Sequence, residues 1–452
     1  MNVGAVLVRT IRHFFPEFNA WMDEIKDPRF FPFVVYDKRF LLWWGLCLFL
    51  FKLGSRRQLD FELDADGTRV LENLNRLAGT QQKTRPVHKT LNYFLGRIGP
   101  QPLVELRTRL VRRLLRMRVL DAARLQGHWV VAIDGTGYLV FRERHCAHCL
   151  ERRYGEVTLY LHQVLEAKLL GPEGLVVSLG TVFIDQSDAA DTPADADAER
   201  RKQDCELKAF NRLDAQLRVT YPHLALCYSG DSLFACGRGL ALGHDPRRAF
   251  VYVLKPGRLP TLWHEFQTLL PLCPQQRREL LTCAGVQQVY RWVDDLSYTD
   301  TEKRSWSVTA IQCEETVDGQ TTTWAWITKL KVTAETVIDV ATKGGRHRWH
   351  IENQAFNTQK NSGLNLEHVY SHRCWQAFYY LLQIAHLILQ LVEKGNLLRQ
   401  LAQELGKTPA QLFGSLKNIA RRLLESFRFV RIQDEACDAN AAARIQIRLD
   451  SS

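Results

Sequence analysis

Through the first 125 residues, apolar positions recur every third or fourth residue, the spacing that gives a helix one buried stripe. In LVELRTRLVRRLLRMRVLDAARL, Leu103, Leu106, Leu110, Leu114 and Met117 fall on such a stripe. Arginines fill the positions between, which predicts an amphipathic helix with a basic outer face. The run FLLWWGLCLFLF, Phe40 to Phe51, is apolar on every side and predicts a buried core helix. It is shorter than the roughly 20 residues a bilayer span requires. The period changes at His128. HWVVAIDGTGYLVF, TLYLHQVLEAKLL and GLVVSLGTVFID read as strands, followed by a polar Ala/Asp-rich linker from Gln186 to Ala198 and a helix, DCELKAFNRLDAQLRVTY. LALCYSGDSLF and AFVYVLKPG read as two further strands. Strands, a helix and more strands predict an α/β fold, a mixed sheet flanked by helices.

From Leu281 to about Lys331 the signals are all β: VQQVYRWVDDLSY, SWSVTAIQCEETV and TTTWAWITKL, with Asp318-Gly319 as a hairpin turn. A helix centred on RWHIENQAFNTQKN follows, then the apolar AFYYLLQIAHLILQLV and the basic SLKNIARRLLESF. The expected organisation is a helical, basic region over 1–125, a catalytic core over 126–260, a β-rich insertion over 261–335, the second part of the core over 336–430 and a tail over 431–452.

Charge sharpens this picture. The 452 residues are 46% hydrophobic and 24% charged, a globular composition, with net charge +11. Twelve Lys or Arg stand between Arg76 and Arg124 against two acids, Glu105 and Asp121, a net of +10 in one segment. Such density attracts polyanions, and nucleic acid is the commonest in a cell, so Arg112, Arg113 and Arg116 are candidate phosphate contacts and no membrane partner is expected. The start, MNVGAVLVRTIRHFF, lacks the pattern of a secretory signal, and eleven scattered cysteines favour reduced thiols, so a cytoplasmic location is expected.

Two acids stand where strands end: Asp134 after VVAI and Asp231 in CYSGDSLF. A third, Glu352, lies in a stretch of bases, amides and aromatics; at 3.6 residues per turn it shares a stripe with Arg348, Ala355 and Gln359, with Phe356 and Lys360 on the flank. Carboxylates on two neighbouring strands and on a facing helix can clamp a pair of Mg²⁺ ions, which stabilise the attacking and leaving oxygens of a phosphoryl displacement. Asp185 with Asp188, and Asp204 with Glu206, are further acid pairs, weaker because they flank the linker or begin a helix.

AIDGTGY, SGDSLFA followed by FVYVLKPG, and RWHIENQAFNTQK, in that order and spacing, resemble a DDE transposase of a bacterial insertion sequence, of the RNase H-like superfamily, in the branch with a β-rich insertion between the second Asp and the Glu. The resemblance spans roughly residues 30 to 425. It implies an RNase H-like core, Asp134, Asp231 and Glu352 as catalytic ligands of two Mg²⁺ or Mn²⁺ ions, Arg348 and the neighbouring Trp349 against DNA, and cut-and-paste transposition. It further implies double-stranded DNA partners (element ends and target), a homodimer in the synaptic complex and a nucleoid-associated protein. Many relatives place Tyr, Arg, Glu and Lys at fixed spacing; here the Tyr position is Gly345 and the Lys position Gln359, with Lys360 one step beyond. A structure-directed nuclease with the same core, or a DNA-binding protein with a decayed site, are the alternatives.

HCAHC, His145 to Cys149, contains a C-x-x-C, with His162 thirteen residues on. Cys146, Cys149 and His162 are candidate ligands of a structural Zn²⁺, with Cys205, His145 and His148 as contenders for the fourth position. Lys255, at a strand end, is a further candidate DNA contact, and Trp292, Trp306, Trp324 and Trp326 read as core residues of which one exposed ring could stack on a base.

Overall fold

The computed structural model describes residues 2–63, 67–184, 198–283, 285–300, 302–433 and 447–449, with the side chains of 198–205 outside the description. The linker, Asp185, Asp188, Asp204, Cys205 and most of the expected tail lie outside the described residues. The chain forms two compact units, Met1–Leu120 with Ala355–Ser452, and Asp121–Gln354.

The first unit is helical. Asp37 caps the helix Lys38–Leu50 by accepting from the Arg39 and Phe40 amides, and every residue from Phe40 to Leu50 is buried, as an all-round apolar helix must be. It packs on the helix Trp375–Lys394, with Gly45 at the close approach: a Cβ there would lie 3.0 Å from Leu381. The helix Gln101–Arg116 buries Leu103, Leu106, Leu110 and Leu114 as the period predicts. Arg112 and Arg116 are exposed on its outer face, and Arg109 pairs with Glu24. One arginine departs from the pattern: Arg107 is buried and lies 5.2 Å over the Tyr380 ring. No described helix is long and apolar enough to cross a membrane.

The second unit is built on eleven strands: β1 (Arg124–Leu125), β2 (His128–Phe141), β3 (Leu150–Tyr154), β4 (Val157–Leu170), β5 (Val176–Ile184), β6 (Leu226–Gly230), β7 (Arg248–Val253), β8 (Arg277–Leu281), β9 (Gln287–Thr299), β10 (Ser305–Val317) and β11 (Gln320–Thr328). They form one sheet in the order β3-β4-β2-β6-β7-β11-β10-β9-β8, with β5 also on β4 and β1 on β2. β2, β4 and β5 are antiparallel, whereas β2, β6 and β7 are parallel. The helix Ala198–Thr220 supplies the crossover from β5 to β6 and lies on β5 and β4. The Asp318-Gly319 turn closes the β10–β11 hairpin with positive φ at both residues (51° and 78°), the geometry a two-residue turn of this type needs.

Two expectations meet a different architecture. The β-rich segment read as an insertion over 261–335 extends the central sheet, because β11 pairs edge to edge with β7 through Trp326–Val253, Ile327–Tyr252 and Thr328–Val251. The segment around Glu352 is not a regular α-helix: Val340–Gly345 and Ile351–Asn357 are π-helical, Arg346–Arg348 is a 3₁₀ turn, and only Thr358–Asn361 returns to α geometry. A stripe drawn at 3.6 residues per turn therefore does not describe it.

Candidate active site

β2 and β6 run side by side with Ala132 opposite Ser229. Two residues further on stand Asp134, within β2, and Asp231, immediately after β6, so matched register brings the two together where the parallel pairing ends. Each is oriented by a nearby backbone amide, Asp134 by Gly135 N–H and Asp231 by Leu233 N–H, both at 2.9 Å.

The third acid reaches this place because the preceding helix packs tightly on the sheet. Ser229 Oγ–H, from the end of β6, donates to the Gly344 carbonyl. A Cβ on Gly344 would sit 2.6 Å from Val251 Cγ2, and one on Gly345 would sit 2.6 Å from the Trp326 ring. At Gly345 the packing leaves no room for even a methyl group. Gly345→Ala is accordingly expected to lower stability by about 1–3 kcal/mol, measured as the shift in urea midpoint; an unchanged midpoint would mean that the helix stands off the sheet.

Arg348 Nη1–H donates to Glu352 Oε1 at 2.7 Å, with the Arg348 side chain nearly buried and that of Glu352 partly exposed. Asp134 keeps intermediate exposure as a residue while its carboxyl end is enclosed. That enclosure raises its pKa to about 7; Arg348 opposes the rise, whereas Glu352 and Asp231 add to it as like charges. The three acids and Arg348 thus share one electrostatic neighbourhood, although they are 97 and 121 residues apart in sequence.

Beside them, Lys255, Trp324, Trp326, Arg346, Arg348 and Trp349 line a groove of about 160 Å³. Trp349 is 57% exposed, and Lys255 is exposed. The sequence-predicted DNA contacts Arg348, Trp349 and Lys255 therefore share one surface. Arg346, not anticipated, lies 4.2 Å over the Trp324 ring and pairs with Glu315 at 2.6 Å. Trp292, Trp306 and Trp326 are core, as expected of most tryptophans in this region.

Gln359 and Lys360 belong to the helical unit. Gln359 is fully buried, its amide donating to Gln383 Oε1 at 3.0 Å and meeting His386 Nδ1 at 2.9 Å. An ammonium there would lose its hydration, so the position suits Gln and not Lys. Lys360 pairs with Glu367 at 2.7 Å.

Sequence reasoning missed one buried group beside the site. Glu166, the register partner of Asp134 on β4, is fully buried. It pairs with the equally buried Lys168 at 3.0 Å and accepts hydrogen bonds from Ser178 and Thr181 on β5. The signal was present in LEAKLL, two opposite charges two residues apart in an apolar strand. Glu206, by contrast, is buried against Gly135: a Cβ on that glycine would lie 2.8 Å from the carboxylate.

No protein-family model matches this chain, and no curated protein matches it. Among solved structures, the chain is similar to a piggyBac transposase synaptic complex with hairpin DNA, with TM-score 0.34 and 9% identity over 93% of this chain and 80% of that one. At that level the likeness carries neither activity nor residue roles to this protein.

Proposed function

We propose that this protein is a DDE-type DNA transposase of an insertion sequence, cutting and joining DNA by metal-assisted phosphoryl transfer in a cut-and-paste route. The observation that carries the reading is the convergence of Asp134 and Asp231 at matched register with the Arg348–Glu352 pair. The three antiparallel strands continued by two parallel ones, with helices alongside, agree with an RNase H-like core.

The donor set suits a hard divalent cation: three carboxylates against one arginine leave excess negative charge at an enclosed carboxyl. Asp134, Asp231 and Glu352 would hold Mg²⁺ or Mn²⁺, which when bound supplies Lewis-acid stabilisation of the attacking and leaving oxygens. Arg348 neutralises phosphate charge, Lys255 holds the backbone along the groove, and Trp349 presents an exposed ring to the bound strand.

The helical unit supplies affinity for double-stranded DNA. Arg112 and Arg116 stand exposed one turn apart on the helix Gln101–Arg116, whereas Arg113 is half-buried and lies 3.8 Å from Glu17. In the same unit Arg56, His88, Lys89, Arg97 and Arg373 line a cleft of about 560 Å³. Binding by such surfaces releases counterions, so log affinity falls linearly with log salt. Replacing Arg112 and Arg116 together by Ala is expected to reduce that slope by about 2, one unit per lost phosphate contact; a slope identical to wild type would remove this face from the DNA path.

The deciding assay incubates the protein with Mg²⁺ and DNA spanning the termini that flank its gene, comparing wild type with Glu352→Gln. Joined products that require Glu352 and metal support transposition within a synaptic homodimer. Cleavage without joining selects the nuclease reading, and tight binding with neither reaction selects a decayed site.

A further inference from the structure

The loop that follows β2 carries a second constellation, unconnected with phosphoryl transfer. His145, Cys146 and Cys149 from this loop meet His162 of β4, and one ligand atom from each lies within 4.8 Å of the others. The separations are 3.6 Å for Cys146 Sγ to Cys149 Sγ, 3.5 and 3.7 Å from His162 Nε2 to the two sulfurs, and 3.0 Å from His145 Nδ1 to Cys149 Sγ. A tetrahedron with Zn–S near 2.3 Å and Zn–N near 2.0–2.1 Å has edges of about 3.8 Å between sulfurs and about 3.6 Å between sulfur and nitrogen. The first three of these distances match those edges, and the fourth is shorter. A disulfide would hold the sulfurs near 2.05 Å instead.

We infer that His145, Cys146, Cys149 and His162 form a structural zinc site of the Cys₂His₂ type. Two thiolates and two imidazoles in a tetrahedral array select Zn²⁺ over hard cations, and four protein ligands leave no open position for catalysis. Cys149 and His162 are almost completely buried. The Phe141 ring covers the site, 4.0 Å from the His145 ring. The Cys149 amide donates to the Cys146 carbonyl at 3.4 Å, closing the C-x-x-C into a turn with both sulfurs on one side. His162 is the register partner of Leu139 on β2, so the ion pins the loop between β2 and β3 onto the strand beside the one that carries Asp134. Of the two described contenders for the fourth position the geometry selects His145, since His148 is exposed. Each bound ion displaces a proton from each of the two thiols as the thiolates form.

The test is the metal content of the full-length protein purified under reducing conditions, by elemental mass spectrometry. One zinc per chain is expected in wild type, in His148→Ala and in Cys283→Ser. His162→Ala and Cys149→Ser should hold essentially none. Should either variant fail to fold, His145→Ala at the half-exposed position decides, with zinc affinity more than about 100-fold weaker. Co²⁺ in place of zinc should give the visible absorption bands of a tetrahedral thiolate site. Wild-type protein that takes up no zinc on reconstitution, zinc retained by both His145→Ala and His162→Ala, or a Cys146–Cys149 disulfide in the reduced preparation would overturn the assignment.

Discussion

Replacing Asp134 by Asn is expected to abolish metal-dependent DNA cleavage and, in the same molecule, to stabilise the metal-free protein at alkaline pH. The enclosed carboxyl has its pKa raised from 3.8 to about 7, so the native state holds this proton more tightly than the unfolded chain does. The sign follows from linkage: the stability contributed by the protonated form is complete below about pH 4 and is lost as pH rises through about 7. Above that point the metal-free wild type bears the full cost of an enclosed carboxylate, added to by the like charges of Glu352 and Asp231, and Asn removes it. Thermal midpoints of wild type and Asp134→Asn, in chelator, should diverge as pH rises from about 4 to about 7 with the variant higher, and the gap should then hold constant to about pH 8.5. Added Mg²⁺ should raise the wild type more at pH 8 than at pH 6 and leave the variant unmoved. Cleavage should fall by roughly 10²–10³-fold or more, the loss typical of removing one electrostatic element of a reaction centre. A variant that is less stable than wild type throughout this range would mean that the acids do not crowd one another.

The second large effect is on folding. Glu166→Ala is expected to cost about 3–5 kcal/mol, because it breaks a fully buried ion pair with Lys168 by removing one member. Ser178 and Thr181 lose their acceptor in the same stroke. The double replacement Glu166→Gln with Lys168→Met should recover most of the loss, since it replaces a buried ion pair by groups that need no counter-charge. Urea unfolding of the three proteins measures this. A single-variant loss below about 1 kcal/mol would show that the Lys168 ammonium is held without Glu166. The consequence is positional: β4 pairs with β2 with Glu166 opposite Asp134, so a loosened β4 blurs the placement of the first carboxylate of the candidate site.

Much of the frame was legible along the chain. The strands β2, β4, β5, β6, β7, β9, β10 and β11 fall where β-branched and aromatic residues cluster, and the buried helix Lys38–Leu50 where no polar residue interrupts. The Asp-Gly turn fixed its own backbone. Asp134 and Asp231 could be singled out because each follows an apolar run directly; Asp231 does come just after β6, whereas β2 continues through Asp134 to Phe141 because the ladder with β4 extends past it. β3 and β8 escaped notice because LERRY and RRELL are short and charged, edge strands with little apolar period to reveal them.

What the sequence alone determined is therefore what nearest neighbours in the chain can enforce: the period of each element, the turn chemistry, the basic face over residues 76–124 and the identity of the three acids. Only tertiary structure decided the rest. β11 joins β7 because one backbone edge found another, and hydrogen bonding between main chains leaves no mark on side-chain period. The π geometry around Glu352 accompanies the close packing of Gly344 and Gly345 against Val251 and Trp326, contacts across roughly 20 to 90 residues of chain that no local helix propensity contains. The meeting of His145 with His162, and of Glu166 with Lys168 in a dry interior, depends on where folded strands bring donor atoms, a property of distances in space that spacing along the chain leaves open.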